Sequence, residues 1–598
     1  MFFTYLWQSS GLTHKDAYDR FSSILSKQCK LYEEAFGQEP GLKIKQIENI
    51  LIGQIHYVPG VLAWEPWLDR GDAGVVWGGV CENYLGKKLD AKEIYDIIKI
   101  LGSSPKELLS WNGMFSIVTW NGKRVSLTTA ATECPTLWYT DGPNGWASGP
   151  RSAPLLEMVD RQTAPNLGAL GLYLKYGYFI GGHSPFDHVL RVRDRQQIVI
   201  ESDLKPLFAS YASLGEYLGS RNKSVGWKES VSLAADRITQ RVNNQLKHSL
   251  NPVVLLTGGH DSRAIAAAAK KTGYPFITAT SGPKDSEDVI IAAKVAKVLN
   301  VAHRLDGDPI GADILCSSLK RLRLWVQISE GLLPLNYCLQ LKDFLGSNLP
   351  FPSAREQFEH GLEPGIGRGS YYPDVDLGKL KAMGLEEAHG YWTINNSFLK
   401  SNAEADSLVQ DIFLNLDNNL DELQGNVYHW FELLLWRERG LMWGMDLQSS
   451  YSPIRWPWIP LFDRELMKLS WDLTVEQKKS GHYLNDVYAL IIPALGDVEC
   501  PQYAGMKKAR LSSRIKRRLA TEIGHYSKKI GVPFLQGYRS ENDRKLPDLW
   551  EAVIFSQREH LWKEFIEKKD LLKLVRLAPG NDLLWRLSTL DLLAEIFF

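Results

Sequence analysis

Between residues 252 and 305 the chain leaves little choice of fold. Val253-Val254-Leu255-Leu256 is a short, wholly apolar run containing β-branched residues, the composition of a strand covered on both faces. Thr257-Gly258-Gly259-His260-Asp261-Ser262 follows, and Arg263-Ala264-Ile265-Ala266-Ala267-Ala268-Ala269-Lys270-Lys271 is built of strong helix formers. Gly273 suits a helix C-terminus and Pro275 blocks continuation. Phe276-Ile277-Thr278-Ala279-Thr280 reads as a second strand. Ser286 is a good N-cap for a helix with apolar residues at Val289, Ile290, Ala293, Ala296 and Val298, and residues 301–305 make a third strand. The order β-α-β-α-β is the core of a parallel nucleotide-binding sheet.

The loop inside this unit has the chemistry of a phosphate cradle. Two glycines let backbone N–H groups approach an anion closely, and a helix N-terminus adds partial positive charge. Thr257 and Ser262 contribute hydroxyls, and Asp261 is the natural carboxylate for a Mg²⁺ that screens the phosphates. Neither the GxxxxGK[ST] loop nor the GxGxxG fingerprint is present. The bland alternative is a tight strand-to-helix turn that needs glycine for sterics alone. The complete T-G-G-x-D-S string in this context favours the phosphate site.

The string resembles the SGGxDS pyrophosphate loop of ATP pyrophosphatases, with Thr257 in place of the first Ser. Ser286-Glu287-Asp288, Ala292, Val295-Ala296, Leu299 and His303 resemble the stretch that follows it in the asparagine synthetase branch. Asn112-Gly113-Met114-Phe115-Ser116, Leu137-Trp138-Tyr139 and Trp146-Ala147-Ser148-Gly149 are similar to the glutamine-hydrolysing domain of that branch. The resemblance implies an α/β protein. An N-terminal Ntn-hydrolase-like α+β domain with sandwiched antiparallel sheets would precede a parallel-sheet, PP-loop nucleotide domain with a helical C-terminal part. It also implies ATP and Mg²⁺ as cofactors, an acyl-adenylate, and amide-bond formation with release of AMP and pyrophosphate.

Texture along the chain agrees with that division. The first ~200 residues read as strands and turns: 111–120 and 125–128 flank an Asn121-Gly122 hairpin turn. From about 210 the pattern becomes helical with embedded apolar strands. A boundary near 205–215 divides residues 1–208, glutaminase-like, from residues 209–598, synthetase-like.

Two departures from the family pattern bear on function. Active glutaminase domains of this branch carry a cysteine directly after the initiator Met, as nucleophile and N-terminal base together. Here that position is Phe2, and the nearest cysteine is Cys29. The front domain is therefore expected to be inert as a glutaminase and to serve as a scaffold or substrate platform. β-Lactam synthetases and lasso-peptide cyclases share this loss. The second departure is His360-Gly361-Leu362-Glu363-Pro364-Gly365-Ile366-Gly367-Arg368-Gly369, the best counterpart of a G-x-G-A-D-E segment. The resemblance puts Glu363 beside Asp261 as a second Mg²⁺ ligand and His360 where β-lactam synthetases carry a catalytic Tyr. A histidine with a reference pKa of about 6.5 suits proton removal from an attacking amine, though His360 is equally an ordinary loop residue. Arg368 could meet phosphate or a substrate carboxylate, or simply be solvated. Leu256, Thr280 and Ser281 complete the candidate nucleotide contacts around Thr257, Gly258, Gly259, Asp261 and Ser262.

Further on, Glu432 and Glu438 are candidates to pair with a general base, Glu438 the preferred catalytic choice; the competing expectation is an ion pair with Arg437 or Arg439. The tryptophans at 430, 436, 443, 456, 458 and 471 suit core packing, or an aromatic-lined cavity for a bulky substrate. Seven cations fall within residues 507–518. Family members place a catalytic lysine in this region, which makes Lys507 or Lys508 the candidate for holding charge on the acyl-adenylate and pyrophosphate.

Composition sets the remaining limits. Lys+Arg and Asp+Glu are both 69 in 598 residues, so nothing global attracts nucleic acid or an anionic membrane. Six scattered cysteines without a CxxC pair argue against a disulfide framework or zinc. Residues 1–7 are apolar but lack the positive start and roughly 7–15 apolar residues of a secretory signal. A cytoplasmic enzyme is expected. Its partners would be a precursor peptide with a leader-peptide protease, or a small amino-acid substrate, and not nucleic acid or membrane.

Overall fold

The computed structural model describes residues 2–36, 39–56, 66–82, 90–101, 105–131, 136–201, 204–219, 225–247, 249, 251–282, 284, 286–305, 319–335, 356–359, 365–369, 371–393, 398–451, 456–500, 561–577 and 582–598. The first part is built of β1 (Phe2–Ser9), β2 (Gly41–Ile47), β3 (Ile50–His56), β4 (Trp67–Asp69), β5 (Ala73–Glu82), β6 (Asn112–Asn121), β7 (Arg124–Thr129), β8 (Trp138–Gly142), β9 (Gly145–Gly149), β10 (Leu190–Arg191), β11 (Gln196–Glu201) and β12 (Leu207–Ser210). They form two antiparallel six-stranded sheets, ordered β10-β8-β9-β1-β3-β2 and β12-β11-β7-β6-β5-β4. The expected hairpin is present: β6 and β7 pair Trp120 with Val125, and Gly122 takes φ +58° in the turn.

Side-chain alternation explains how these sheets stack. Along β1, Leu6 faces the second sheet, where it joins Val118, Trp120, Leu127 and Ile198. Its neighbours Tyr5 and Trp7 face the other way, onto Phe21 and Leu25 of the helix His14–Phe36. Likewise Phe115 and Ile117 of β6 meet Ala91 and Ile94 of the helix Ala91–Leu101, while Val118 and Trp120 point inward. The result is four layers, helix, sheet, sheet and helix, as the resemblance implied.

The second sheet system carries the loop. β13 (Asn251–Leu255), β14 (Ile277–Thr280), β15 (His303–Leu305), β16 (Glu356–Glu359) and β17 (Trp456–Trp458) run parallel in the order β15-β14-β13-β16-β17. Val254 packs against the flanking helices Trp227–Leu246, His260–Thr272 and Glu287–Leu299, while Val253 meets Ala279 on the other face. Both expected helices are present, the first starting at His260, inside the loop string and three residues before Arg263, and the second burying Val289, Ile291, Ala292, Val295, Ala296 and Leu299 while the expected core residue Val298 is exposed. Ser286 accepts from the Val289 N–H, and Gly273 closes its helix at φ +79°.

Beyond β15 the described residues are mostly helical, and their packing reaches back into the front sheets. Tyr5, Trp7 and Leu155 share one core with Trp325, Leu333, Trp562 and Leu590. No described helix is long and apolar enough to cross a membrane.

Candidate active site

β13 ends at Leu255, and the chain turns through Thr257-Gly258-Gly259 into the helix His260–Thr272. Leu256 anchors the turn: its N–H donates to Ala279 O at 2.8 Å, and Thr280 Oγ1 donates back to Leu256 O. Gly259, the N-cap, has φ −74° and ψ 168°, a conformation open to any residue. The backbone angles there do not require glycine, and a residue without a side chain leaves the backbone open to close approach.

The loop is tied together by its own polar groups. Thr257 N donates to Ser262 Oγ at 3.1 Å, Gly259 N to Thr257 Oγ1 at 3.1 Å, and Gly258 N to Asp288 Oδ1 at 3.0 Å. The first N–H groups of a helix have no intrahelical acceptor, so the amides from His260 onward add donors at the same end. Asp261 is partly exposed here and forms an ion pair with Arg368. The structure thus joins two residues expected to serve separately, one for Mg²⁺ and one for an anion. Ser281 is exposed at the end of β14, beside the buried Thr280.

This donor set fits a nucleotide with Mg²⁺. The loop offers hydroxyls, amides and a positive helix end for phosphates, and one carboxylate plus phosphate oxygens is a common way of holding Mg²⁺. Among the described residues no group of three or more His, Cys, Asp or Glu forms a ready cation cage. Glu363, the expected second ligand, lies outside the described residues, as do His360, Lys507 and Lys508.

His260 sits on the inner side of the loop helix, almost fully buried, with Nδ1 3.0 Å from Tyr488 OH. Burial pushes its imidazole down to about 3, helped by the charges of Arg368, Arg263 and His482, so it is neutral at physiological pH. It lines a cavity of about 570 Å³ together with Trp227, Glu476, His482, Asp486 and Cys500.

A second polar cluster reaches the same region from the far side of Arg368. Lys478, buried, donates to Glu432 Oε2 at 2.6 Å, and Tyr372 OH donates to Glu432 Oε1. The turn carrying Arg368 is fixed to this cluster: Gly369 N donates to Lys478 O at 3.3 Å and Tyr372 N to Gly369 O at 3.1 Å. Neither Tyr372 nor Lys478 was among the residues singled out from sequence, because their partner lies 60 and 46 positions away.

The expectation for Glu432 and Glu438 needs correction. Neither pairs with Arg437 or Arg439 as their expected ion-pair partner; residues Leu434–Gly444 form a π-helix, whose wider turn breaks the usual spacing. Glu438 is buried and accepts from Gly181 N at 2.7 Å, with Arg193 at 3.7 Å. Arg437 instead pairs with Asp194, and Arg439 donates to Tyr371 OH. Trp430, Trp436 and Trp471 are core residues, and Trp443 lies half-buried under Arg439. The side chains of Trp456 and Trp458 lie outside those described.

Sequence comparison agrees with the geometry of the loop. Residues 233–306 match the asparagine synthase family model, a stretch that begins in the helix Trp227–Leu246 and ends just after β15. No curated protein matches the chain. Two solved structures show weak likeness. One is a glutamine phosphoribosylpyrophosphate amidotransferase from B. subtilis with ADP and GMP, 8% identical over 51% of this chain and 90% of that chain, with a TM-score of 0.24. The other, described as the allosteric regulatory enzyme of purine biosynthesis, is 8% identical over 52% of this chain and 81% of that chain, also at 0.24. Likenesses at that level carry no argument. The segment that builds the parallel-sheet core and its phosphate-type loop is asparagine synthase-like.

Proposed function

We propose that the chain is an ATP-dependent amide-forming ligase. One observation carries this reading: a T-G-G-x-D-S loop between a buried parallel strand and a helix N-terminus, inside the asparagine synthase-like segment. A substrate carboxylate oxygen bonds to the α-phosphorus of ATP while the bond to pyrophosphate breaks. An amine nitrogen then bonds to the acyl carbon, AMP departs with the electrons of the broken C–O bond, and the amine proton passes to a base.

The chain's own groups divide that work. Thr257, Gly258, Gly259 and Ser262 hold the departing pyrophosphate. Mg²⁺ on Asp261, with Glu363, supplies charge neutralisation when bound. A cation on Asp261 competes with Arg368, which is then available to an anionic oxygen of nucleotide or substrate. His360 is the candidate base, and Lys507 or Lys508, seven and eight positions beyond Cys500, the candidate stabilising cation.

Within that class the reading is a lasso-peptide cyclase, joining an Asp or Glu side chain of a precursor peptide to that peptide's N-terminal amine. The first cysteine in the sequence is Cys29, within the helix His14–Phe36 and not at the head of β1, which supports an amine already present in the substrate. A leader-removing protease and a cytoplasmic setting go with this reading. A second reading, a β-lactam synthetase-like or ammonia-using enzyme on a small amino acid, is favoured by the cavity of about 570 Å³, a small-molecule size.

ATP–pyrophosphate exchange tests the class and separates the substrates. Purified protein is assayed with precursor peptides bearing Asp or Glu, with β-amino acids, and with aspartate plus ammonium. Exchange dependent on a peptide supports the cyclase, and exchange with a small acid supports the second reading. Exchange is expected to vanish in Asp261→Ala; its absence from the wild type with every acid would sink the ligase reading.

A further inference from the structure

Arg263 is the residue of the loop helix that the sequence leaves looking ordinary. It is fully buried, one position beyond Ser262. Its Nη2 donates to Gly258 O at 3.0 Å and to Glu499 O, its Nη1 to Val498 O at 2.9 Å. Cys500 Sγ adds a second donor to Gly258 O at 3.2 Å. The Tyr488 ring centroid lies 5.8 Å from the guanidinium carbon. Every hydrogen-bond acceptor in that set is a neutral main-chain carbonyl. Among the described residues no carboxylate comes within the 4.0 Å of an ion pair with Arg263.

That arrangement is expensive unless a negative charge beyond the described residues completes it. Arginine stays protonated in proteins, and a buried charge without a counter-charge is among the costliest features a core can hold. A neutral donor would fasten residues 498–500 to the loop at less cost. The helix N-terminus of the same loop, where Thr257 is exposed, already favours a negative ligand. The hydrogen bonds also set the loop's geometry. In a planar trans peptide the N–H and C=O point in opposite directions, so drawing Gly258 O inward turns the Gly259 N–H to the other side. That N–H donates to Thr257 Oγ1 at 3.1 Å.

We propose that Arg263 is a positioning residue for the loop's ligand, a fixed cation behind the Gly258 peptide whose counter-charge is the phosphate chain of a nucleotide or free pyrophosphate. The identity of that anion rests on the ligase reading above; the anion site itself does not. Arg263 acts through the Gly258 peptide and through its field, without touching the ligand.

Calorimetric titration of the full chain with inorganic pyrophosphate, ATP and AMP, at two salt concentrations, tests this. Arg263→Gln keeps amide donors for the carbonyls and removes the charge; Arg263→Lys keeps the charge and loses the fork. The glutamine variant is expected to weaken pyrophosphate and ATP by about tenfold or more, to lower the ratio of ATP to AMP affinity, and to flatten the salt dependence. The lysine variant should bind within about threefold of wild type. A purely structural role predicts equal losses for ATP and AMP, an unchanged salt slope and no rescue by lysine; that result overturns the proposal. So does a wild type that binds neither pyrophosphate nor ATP. If the glutamine variant fails to fold, the lysine variant decides: near-wild-type affinity supports the proposal and a tenfold loss overturns it. Arg263-dependent pyrophosphate binding without any exchange activity would retain the anion site and discard the ligase.

Discussion

Gly259 shows how a residue's identity and its conformation can point to different causes. Its φ and ψ are ordinary extended values, and it caps a helix that Ser or Asp would cap better. What glycine uniquely offers is the absence of a side chain over the loop backbone, whose Gly259 N–H already donates to Thr257 Oγ1. Gly259→Ala is therefore expected to cost about 1 kcal/mol or less in stability. The same change should weaken ATP or pyrophosphate binding by about tenfold or more. Thermal melting beside ligand titration checks both; a variant that melts far below wild type would return the glycine to a turn requirement. The loop was legible because all its chemistry lies within six consecutive residues. Arg263 and Cys500 were not, because their shared partner Gly258 O sits 5 positions from one and 242 from the other. No local pattern reports such a contact. Arg368 was legible as a candidate, while its partner Asp261, 107 positions away, was expected to hold something else.

At the scale of elements, the strands and helices of 251–305 were readable because each is short, bounded by Gly, Pro or a capping Ser, and uniform in period. β16 and β17 were not: β16 pairs with β13 and β17 with β16, pairings set by the sheet, and neither stretch alternates or runs apolar long enough to announce a strand. The π-helix Leu434–Gly444 defeated the reading for a different reason, since spacing arguments assume 3.6 residues per turn. The final helix, Asp582–Phe597, buries nearly all round and encloses Asp591. Burial raises that carboxyl to about 8 from its usual range, against smaller opposite pulls from the Trp562 backbone and Lys563. Between pH ~4 and 8 the folded chain therefore keeps a proton that the unfolded chain has released, so this group's contribution falls as pH rises. Asp591→Asn removes the titration. The variant is expected to match wild type near pH 4 and to gain up to roughly 2–4 kcal/mol near pH 7.5. Melting temperatures at three pH values check it; a pH-independent difference would mean the carboxyl is ionised in the fold.

Across the whole molecule, the front sheets and the helices that follow β15 are held together by more than apolar contact. Arg191 of β10 and Asp446 of the helix Met445–Tyr451 form a buried ion pair at 2.7 Å. Arg191 also donates to Leu441 O at 2.8 Å, and Thr136 Oγ1 donates to Asp446 at 2.9 Å. Burial pushes the Asp446 carboxyl above its usual range, although Arg191 pulls it down. The pair is therefore costly to break but need not be stabilising compared with an apolar substitute. Asp446→Leu alone strands the Arg191 charge and should cost about 3–5 kcal/mol. Arg191→Met added to it should recover most of that loss, a coupling that a double-mutant cycle measures directly. Additive losses would mean that each side chain is held by its other partners and that the pair contributes nothing of its own. Neither substitution touches the Thr257–Ser262 loop, so the refolded double variant also asks what the front sheets do. Retained nucleotide binding with loss of peptide turnover would place them in substrate handling, and retention of both would leave them as the wall against which the later helices pack.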